Sequence, residues 1–318
     1  MTHAPKIPES NPDRNAEADL LRRRQFTYSD KALKAGQQVY TTYVPHPAVE
    51  NVLSALDRSV QLAESLSMVQ GIRIVGSTGS GKTSVVRYFQ DSLRQCGSTE
   101  ESTRTLYVRL QEQPSVIRMI SALLQACRYP FSQVSNRNVG IKRDLLIEAL
   151  QHRGTALLIV DEAHYLCQQR RGRSPDRIGT FATDFLRELA DEVPLVLALV
   201  GETTLHRLEE LDSHLAARVP VVFALDNFTA SDKHWLSTVM TLFSACPDVR
   251  FSPLTNHAEM QRIHSATAGN MRQLKWLLSE AVMVACDSHQ DEVRSQNMQI
   301  AFDRIKGNSS GLSNPWKA

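Results

Sequence analysis

The sequence predicts an α/β protein: a five-stranded parallel sheet flanked by helices, with a helical lid after it. Three observations carry this. From residue 71 short apolar strands alternate with longer helical stretches. The strands are apolar throughout, as strands covered on both faces of a parallel sheet are. Strand signals stop after Asp226, and only helical periodicity continues beyond it.

The elements follow in order. Residues 1–40, rich in Pro, Asn, Ser and charge and holding Arg22, Arg23 and Arg24, read as a flexible N-terminal arm. Residues 48–69 set Val49, Val52, Leu53, Leu56, Val60, Ala63 and Leu66 at helical spacing, one apolar stripe that leads a packing helix into the core domain. The strands are "IRIV" from 72, "LYVRL" from 106, "ALLIV" from 156, "LVLALV" from 195 and "VPVVFAL" from 219. Helices are expected from Lys82 and over 114–127, 141–152, 178–190 and 203–217. Four more follow at 231–245, 256–268, 271–286 and 292–305, the second capped by Asn256 and ended by Gly269. The organisation is therefore an α/β domain over 41–226, a lid over 227–305 and a mobile Gly/Ser-rich tail over 306–318. Trp316 in that tail is either incidental or a docking hook.

Composition narrows the class. A chain of 318 residues holds one mid-sized α/β domain and a smaller partner. Hydrophobic residues are 42% and charged residues 22%, and no apolar run approaches the roughly 18 residues of a membrane helix, so a membrane-spanning role is excluded. The N-terminus lacks a basic segment followed by an apolar one, which predicts a cytoplasmic protein. Cys96, Cys127, Cys167, Cys246 and Cys286 are scattered without a C-x-x-C pair, against a disulfide framework or a zinc knuckle. A net charge of +2 does not by itself point to nucleic acid.

The chemistry concentrates in two stretches. "GSTGSGKT", that is Gly76, Ser77, Thr78, Gly79, Ser80, Gly81, Lys82 and Thr83, fits G-x-x-x-x-G-K-[ST] directly after a strand and opens a helix. Its glycines let backbone N–H groups converge on phosphate oxygens at a helix N-terminus. Lys82 would neutralise the β and γ phosphates, and the Thr83 hydroxyl would ligand Mg2+. "ALLIVDE" then supplies Asp161 to hold the Mg2+ shell and Glu162 as general base for the attacking water. Together they imply ATP and Mg2+ as cofactors and ATP hydrolysis as the reaction.

The letters Asp161-Glu162-Ala163-His164 also spell a helicase signature, but the second arginine-bearing helicase domain is missing from the sequence. A lone His164 has no metal-ligand spacing around it and reads as a structural or hydrogen-bonding residue. The combination of the two stretches with "LVLALVGETT", "HLAARVP" and "AGNMRQLKWLL" resembles the AAA+ ATPases, P-loop domains with a five-stranded parallel sheet and a helical lid. Within them, "YVPHPAVENVLSALDRSV", "IVDEAHYL", "VGETT" and "TAGNMRQLKWLLSEA" make the chain similar to the TnsC/TniB transposition regulators.

That resemblance implies further roles. Thr203 or Glu202 would stand at the sensor-1 position, and Arg272 at sensor 2. Arg218 would be the finger that enters a neighbouring subunit's site, with Arg207 as substitute; a surface ion pair is its other reading. A homo-oligomer, ring or filament, would form on double-stranded DNA with ATP, link a TniQ-like target-selection protein to the transposase, and come apart on hydrolysis. An AAA+ loader or initiator of replication, or a signalling or secretion ATPase without DNA, would carry the same motifs.

Basic residues cluster where DNA could lie. Segment 128–143 holds Arg128, Arg137, Lys142 and Arg143 without a carboxylate, and Arg118 precedes it. Such residues either track phosphates, releasing counterions, or form a solvated face; the resemblance implies that this part of the domain grips DNA. Arg170, Arg171, Arg173 and Arg177 form a second cluster, open to the readings of DNA grip, docking surface and solvated loop.

Overall fold

The computed structural model describes residues 28–96, 104–168, 181–307 and 311–317. The chain divides into two compact units, one comprising Pro45–His234 with Ala268–Arg272 and the other the remainder. The division falls a few residues beyond the boundaries at 41 and 226 read from the sequence, and it gives the short 268–272 turn to the sheet unit.

In the sheet unit, helix α2 (Pro47–Leu66) leads to β1 (Ile72–Val75) and α3 (Lys82–Cys96). Then come β2 (Thr105–Arg109), α4 (Val116–Ala126), α5 (Val139–His152), β3 (Leu157–Asp161), α6 (Phe181–Glu192), β4 (Val196–Gly201) and β5 (Val221–Ala224). The expected helix over 203–217 is instead a 3-10 turn, Thr203–Arg207, and two short helices, α7 (Leu208–Leu211) and α8 (Ser213–Arg218). Asp212 makes the break, because its side chain accepts from Leu215 N at 2.9 Å and caps the second helix.

The five strands are all parallel, in the order β2-β3-β4-β1-β5. The central strands β1, β3 and β4 are buried along their length, and Leu157, Leu158 and Ile159 each contribute roughly 1.5–3 kcal/mol of burial free energy. The edge strands β2 and β5 alternate between more and less covered residues, so full burial holds only for the middle of the sheet. Charged side chains are buried in it too, Arg73 of β1 and Asp161 at the end of β3. Arg73 of β1 is 2% exposed and donates to Val219 O at 2.9 Å and to Glu209 at 2.6 Å.

The second unit is helical: α9 (Lys233–Phe243) enters it at Trp235, followed by α10 (His257–Thr267), α11 (Met271–Asp287) and α12 (Ser295–Lys306). The N-terminal and tail readings both change here. Helix α1 (Asp30–Thr41) lies within the expected flexible arm, capped by Ser29, and buries Ala32, Ala35, Gly36 and Val39. Small residues make a helical stripe with little hydropathy signal, and Gly36 meets Met283 so closely that a Cβ would fall 2.7 Å from it. Trp316 docks: it is buried, and its indole N–H donates to Glu259 Oε2 at 2.7 Å. Lys317 pairs with Asp303 at 2.8 Å, and Asn314 donates to Gln299 O and Asp303, so residues 314–317 are tied down where a mobile tail was expected. The remaining arm, residues 1–27, lies outside the described residues.

Candidate functional site

The strand order decides where the chemistry meets. With β4 between β3 and β1, the carboxyl ends of β1 and β3 open a crevice, the usual ligand position in such sheets. Thr83, in the first turn of α3, donates to Asp161 Oδ2 at 2.9 Å, which joins the two residues expected to hold Mg2+.

The loop Gly76–Gly81 is held open from behind. Gly81 has φ +105°, and a Cβ there would project into open space, leaving the cradle clear. Gly79 has φ +81°, and a Cβ would stand 2.6 Å from Asn270 Oδ1, so both geometry and contact require glycine. Asn270 donates to Thr78 O and to Asn227 Oδ1, both at 2.9 Å, and Ser77 Oγ donates to the same Asn227 oxygen at 2.8 Å. Arg272 donates its backbone N–H to Gly79 O at 3.0 Å.

Electrostatics match this cradle to a phosphate. Lys82 Nζ donates to Gly76 O at 2.9 Å and to Ser77 O at 2.8 Å. Burial lowers its pKa, opposed by the charges of Glu202, Glu162 and Asp161, while Arg272 adds to the lowering. Ser80 Oγ is buried without a hydrogen-bond partner. An anion in the cradle would give both groups an acceptor, and the Thr83–Asp161 pair suits a hard divalent cation, so the residues present fit ATP with Mg2+.

Glu162 adopts φ 57°, turning its side chain away from the path of β3. Its carboxylate pairs with Arg109 Nη2 at 2.7 Å and lies 3.4 Å from His164 Nδ1. That imidazole is buried, and Glu202 N–H approaches the same nitrogen at 3.5 Å, so His164 bridges the ends of β3 and β4. Glu202 in turn accepts from the Thr78 hydroxyl of the loop. Of the two sensor-1 candidates, Glu202 reaches the loop and Thr203 is exposed.

The outer residues divide. Arg218 donates through Nε to Asp191 Oδ1 at 3.0 Å, and Nη1 reaches His214 O at 3.2 Å, so in the single chain the ion-pair reading describes it. Arg118 and Arg137 are exposed. Lys142 donates to Phe131 O and lies over the Tyr129 ring, 5.3 Å from its centroid. Arg143 pairs with Glu188 at 3.3 Å and with Glu192, so neither Lys142 nor Arg143 is a freely extended phosphate contact. Arg170, Arg171, Arg173 and Arg177 lie outside the described residues. Tyr107, Arg109, Asn227 and Asn270 were not singled out from the sequence. Asn270 lies in "AGNMR", the one signal that could have found it; the others depend on strand pairing and loop approach.

The family described as Bacterial TniB protein matches residues 37–228, more than half of the chain and the whole of this site except the 268–272 turn. The chain belongs to the TniB family. No curated protein matches it. Solved structures share its fold. The Aeropyrum pernix ORC1 protein in complex with DNA is 20% identical with a TM-score of 0.62, covering 83% of this TniB-family chain and 67% of its own. Cdc6p from Pyrobaculum aerophilum is 18% identical with a TM-score of 0.62, covering 86% and 74%. Drosophila ORC bound to DNA is 16% identical with a TM-score of 0.55, covering 98% and 73%. The fold is that of an AAA+ P-loop domain with a C-terminal helical region. Among the described residues no helix is long and apolar enough to cross a membrane.

Proposed function

We propose that this TniB-family chain is an ATPase that uses nucleotide as an assembly switch on double-stranded DNA, and that it regulates transposition by linking a TniQ-like target-selection protein to a transposase. The observation that carries the switch is the Thr83–Asp161 hydrogen bond of 2.9 Å beside an open phosphate cradle. Mg2+, held by Thr83 and Asp161, would supply charge neutralisation on the phosphates. Lys82 binds the β and γ phosphates, and Glu202 reads the loop through Thr78. Arg272 and Asn270 fasten the loop to the turn between α10 and α11. Glu162 orients a water and takes its proton once it leaves Arg109. Arg218 leaves Asp191 to neutralise charge on the phosphoryl group of a neighbouring subunit, which makes hydrolysis depend on prior assembly. Arg118 and Arg137 are the first candidates for DNA phosphates, with Lys142 and Arg143 joining only after local rearrangement.

A second reading has its own support. Two of the solved structures sharing the fold, Aeropyrum pernix ORC1 and Drosophila ORC, are in complex with DNA, which supports a loader or initiator of DNA complexes better than it supports the transposition-specific partners. Glu162→Gln with ATP, with and without duplex DNA, separates these by electron microscopy and co-sedimentation. Long-lived DNA-dependent oligomers that capture a transposase support the first reading, and capture of a replicative helicase supports the second. Oligomers indifferent to DNA would leave a signalling or secretion ATPase. Turnover at the normal rate would remove Glu162 as the base.

A further inference from the structure

Asp161 is fastened from three directions, and one of the donors has no role in the scheme above. Its Oδ2 accepts from Thr83 Oγ1 at 2.9 Å and also from the Tyr107 hydroxyl at 2.7 Å; its Oδ1 accepts Glu162 N–H at 2.9 Å. Tyr107 stands on β2, whose parallel register sets it beside Ile159, two residues before Asp161 on β3. Its ring is fixed in turn by Arg87, one helical turn beyond Thr83 on α3, with the guanidinium 5.6 Å from the ring centroid.

We infer that Tyr107 is a positioning residue for the divalent metal: it locks the Asp161 carboxylate in the rotation that presents it, together with Thr83, to the cation. This rests on the proposed placement of Mg2+ at Thr83 and Asp161. A carboxylate held by a single donor can turn about its last bond and offer either oxygen at many angles. Donors on both oxygens, from β2, α3 and its own backbone, leave one orientation. Tyr107 is only partly buried, so its hydroxyl could reach water; it is directed at Asp161 instead. Hydrogen-bond partners behind a metal ligand commonly change metal affinity by about 10–100-fold when removed.

The test uses the full chain and a fluorescent ADP analogue, titrated with MgCl2 and also measured in EDTA. Tyr107→Phe keeps the ring, its packing and the Arg87 guanidinium over it while deleting the hydroxyl with its hydrogen bonds to Asp161 and Arg87. The half-saturating Mg2+ concentration is expected to rise about tenfold, with analogue affinity in EDTA and melting temperature unchanged. Asp161→Asn is measured in parallel. If Asp161→Asn shifts the Mg2+ titration and Tyr107→Phe does not, Tyr107 has no positioning role and the metal site stands. If neither shifts it, the metal placement itself fails. A loss of analogue affinity in EDTA equal to that in Mg2+ would mark Tyr107 as a packing residue and overturn the inference.

Discussion

Arg109 holds Glu162: its Nη2 lies 2.7 Å from Oε1, and the hydrogen bond raises the arginine's own pKa. A carboxylate turned to a guanidinium is not turned to a water. The pair is a restraint on the expected general base, and a weak one, because the Arg109 side chain is 63% exposed.

Arg109→Ala should therefore raise ATP turnover without DNA by about twofold to fivefold, the factor corresponding to an exposed pair of up to ~1 kcal/mol. Steady-state phosphate release checks this. A fall to the rate of Glu162→Gln would mean that Arg109 assists the reaction rather than restraining the base.

Arg218 is engaged by Asp191 within its own chain, so a role in trans requires it to change partners. Arg218→Ala and Lys82→Ala should each be inactive and should recover activity when mixed, because the first retains a nucleotide site and the second retains a finger. Mixing ratios from 1:9 to 9:1, about a hundredfold range, should trace a bell-shaped recovery. No recovery at any ratio would confine Arg218 to the ion pair.

The buried Arg73 predicts a pH effect on stability. Its hydrogen bond holds the Glu209 carboxylate below the ordinary 4.5. A lowered carboxylate contributes stability that is fully present above the unfolded value and is lost as pH falls through the folded one. Glu209→Gln should therefore melt lower than the parent at neutral pH, and the difference should shrink as pH drops below 4.5. A gap constant down to acid pH would show that the carboxylate charge contributes nothing. Thermal melts across that range decide it.

Much of the site was legible because its signals are local. Gly76–Gly81 is one continuous turn between a strand and the helix that Lys82 and Thr83 open, and Asp161 and Glu162 close a run of buried aliphatic residues. Helix α1 was not legible, since Ala32, Ala35 and Gly36 pack by smallness rather than by hydropathy. Trp316 left two readings open, and what settled them is Glu259, which lies on another helix with both oxygens hydrogen-bonded. Arg143 stood among cations in the sequence, yet Glu188 and Glu192 of α6 supply the carboxylates that its own segment lacks.

The sequence by itself determined the strand and helix alternation, the phosphate loop, the two carboxylates and the resemblance to the TniB family, because each is written in neighbouring residues. The tertiary structure decided the order β2-β3-β4-β1-β5 and, through it, which side chains stand behind those carboxylates. Tyr107 meets Asp161 and Arg109 meets Glu162 only because β2 pairs with β3 in the register that sets Arg109 beside Asp161. A shift of one residue in that pairing would turn both side chains to the other face of the sheet. Register is a property of the packed sheet, set by which apolar faces bury together, and no local run of residues spells it.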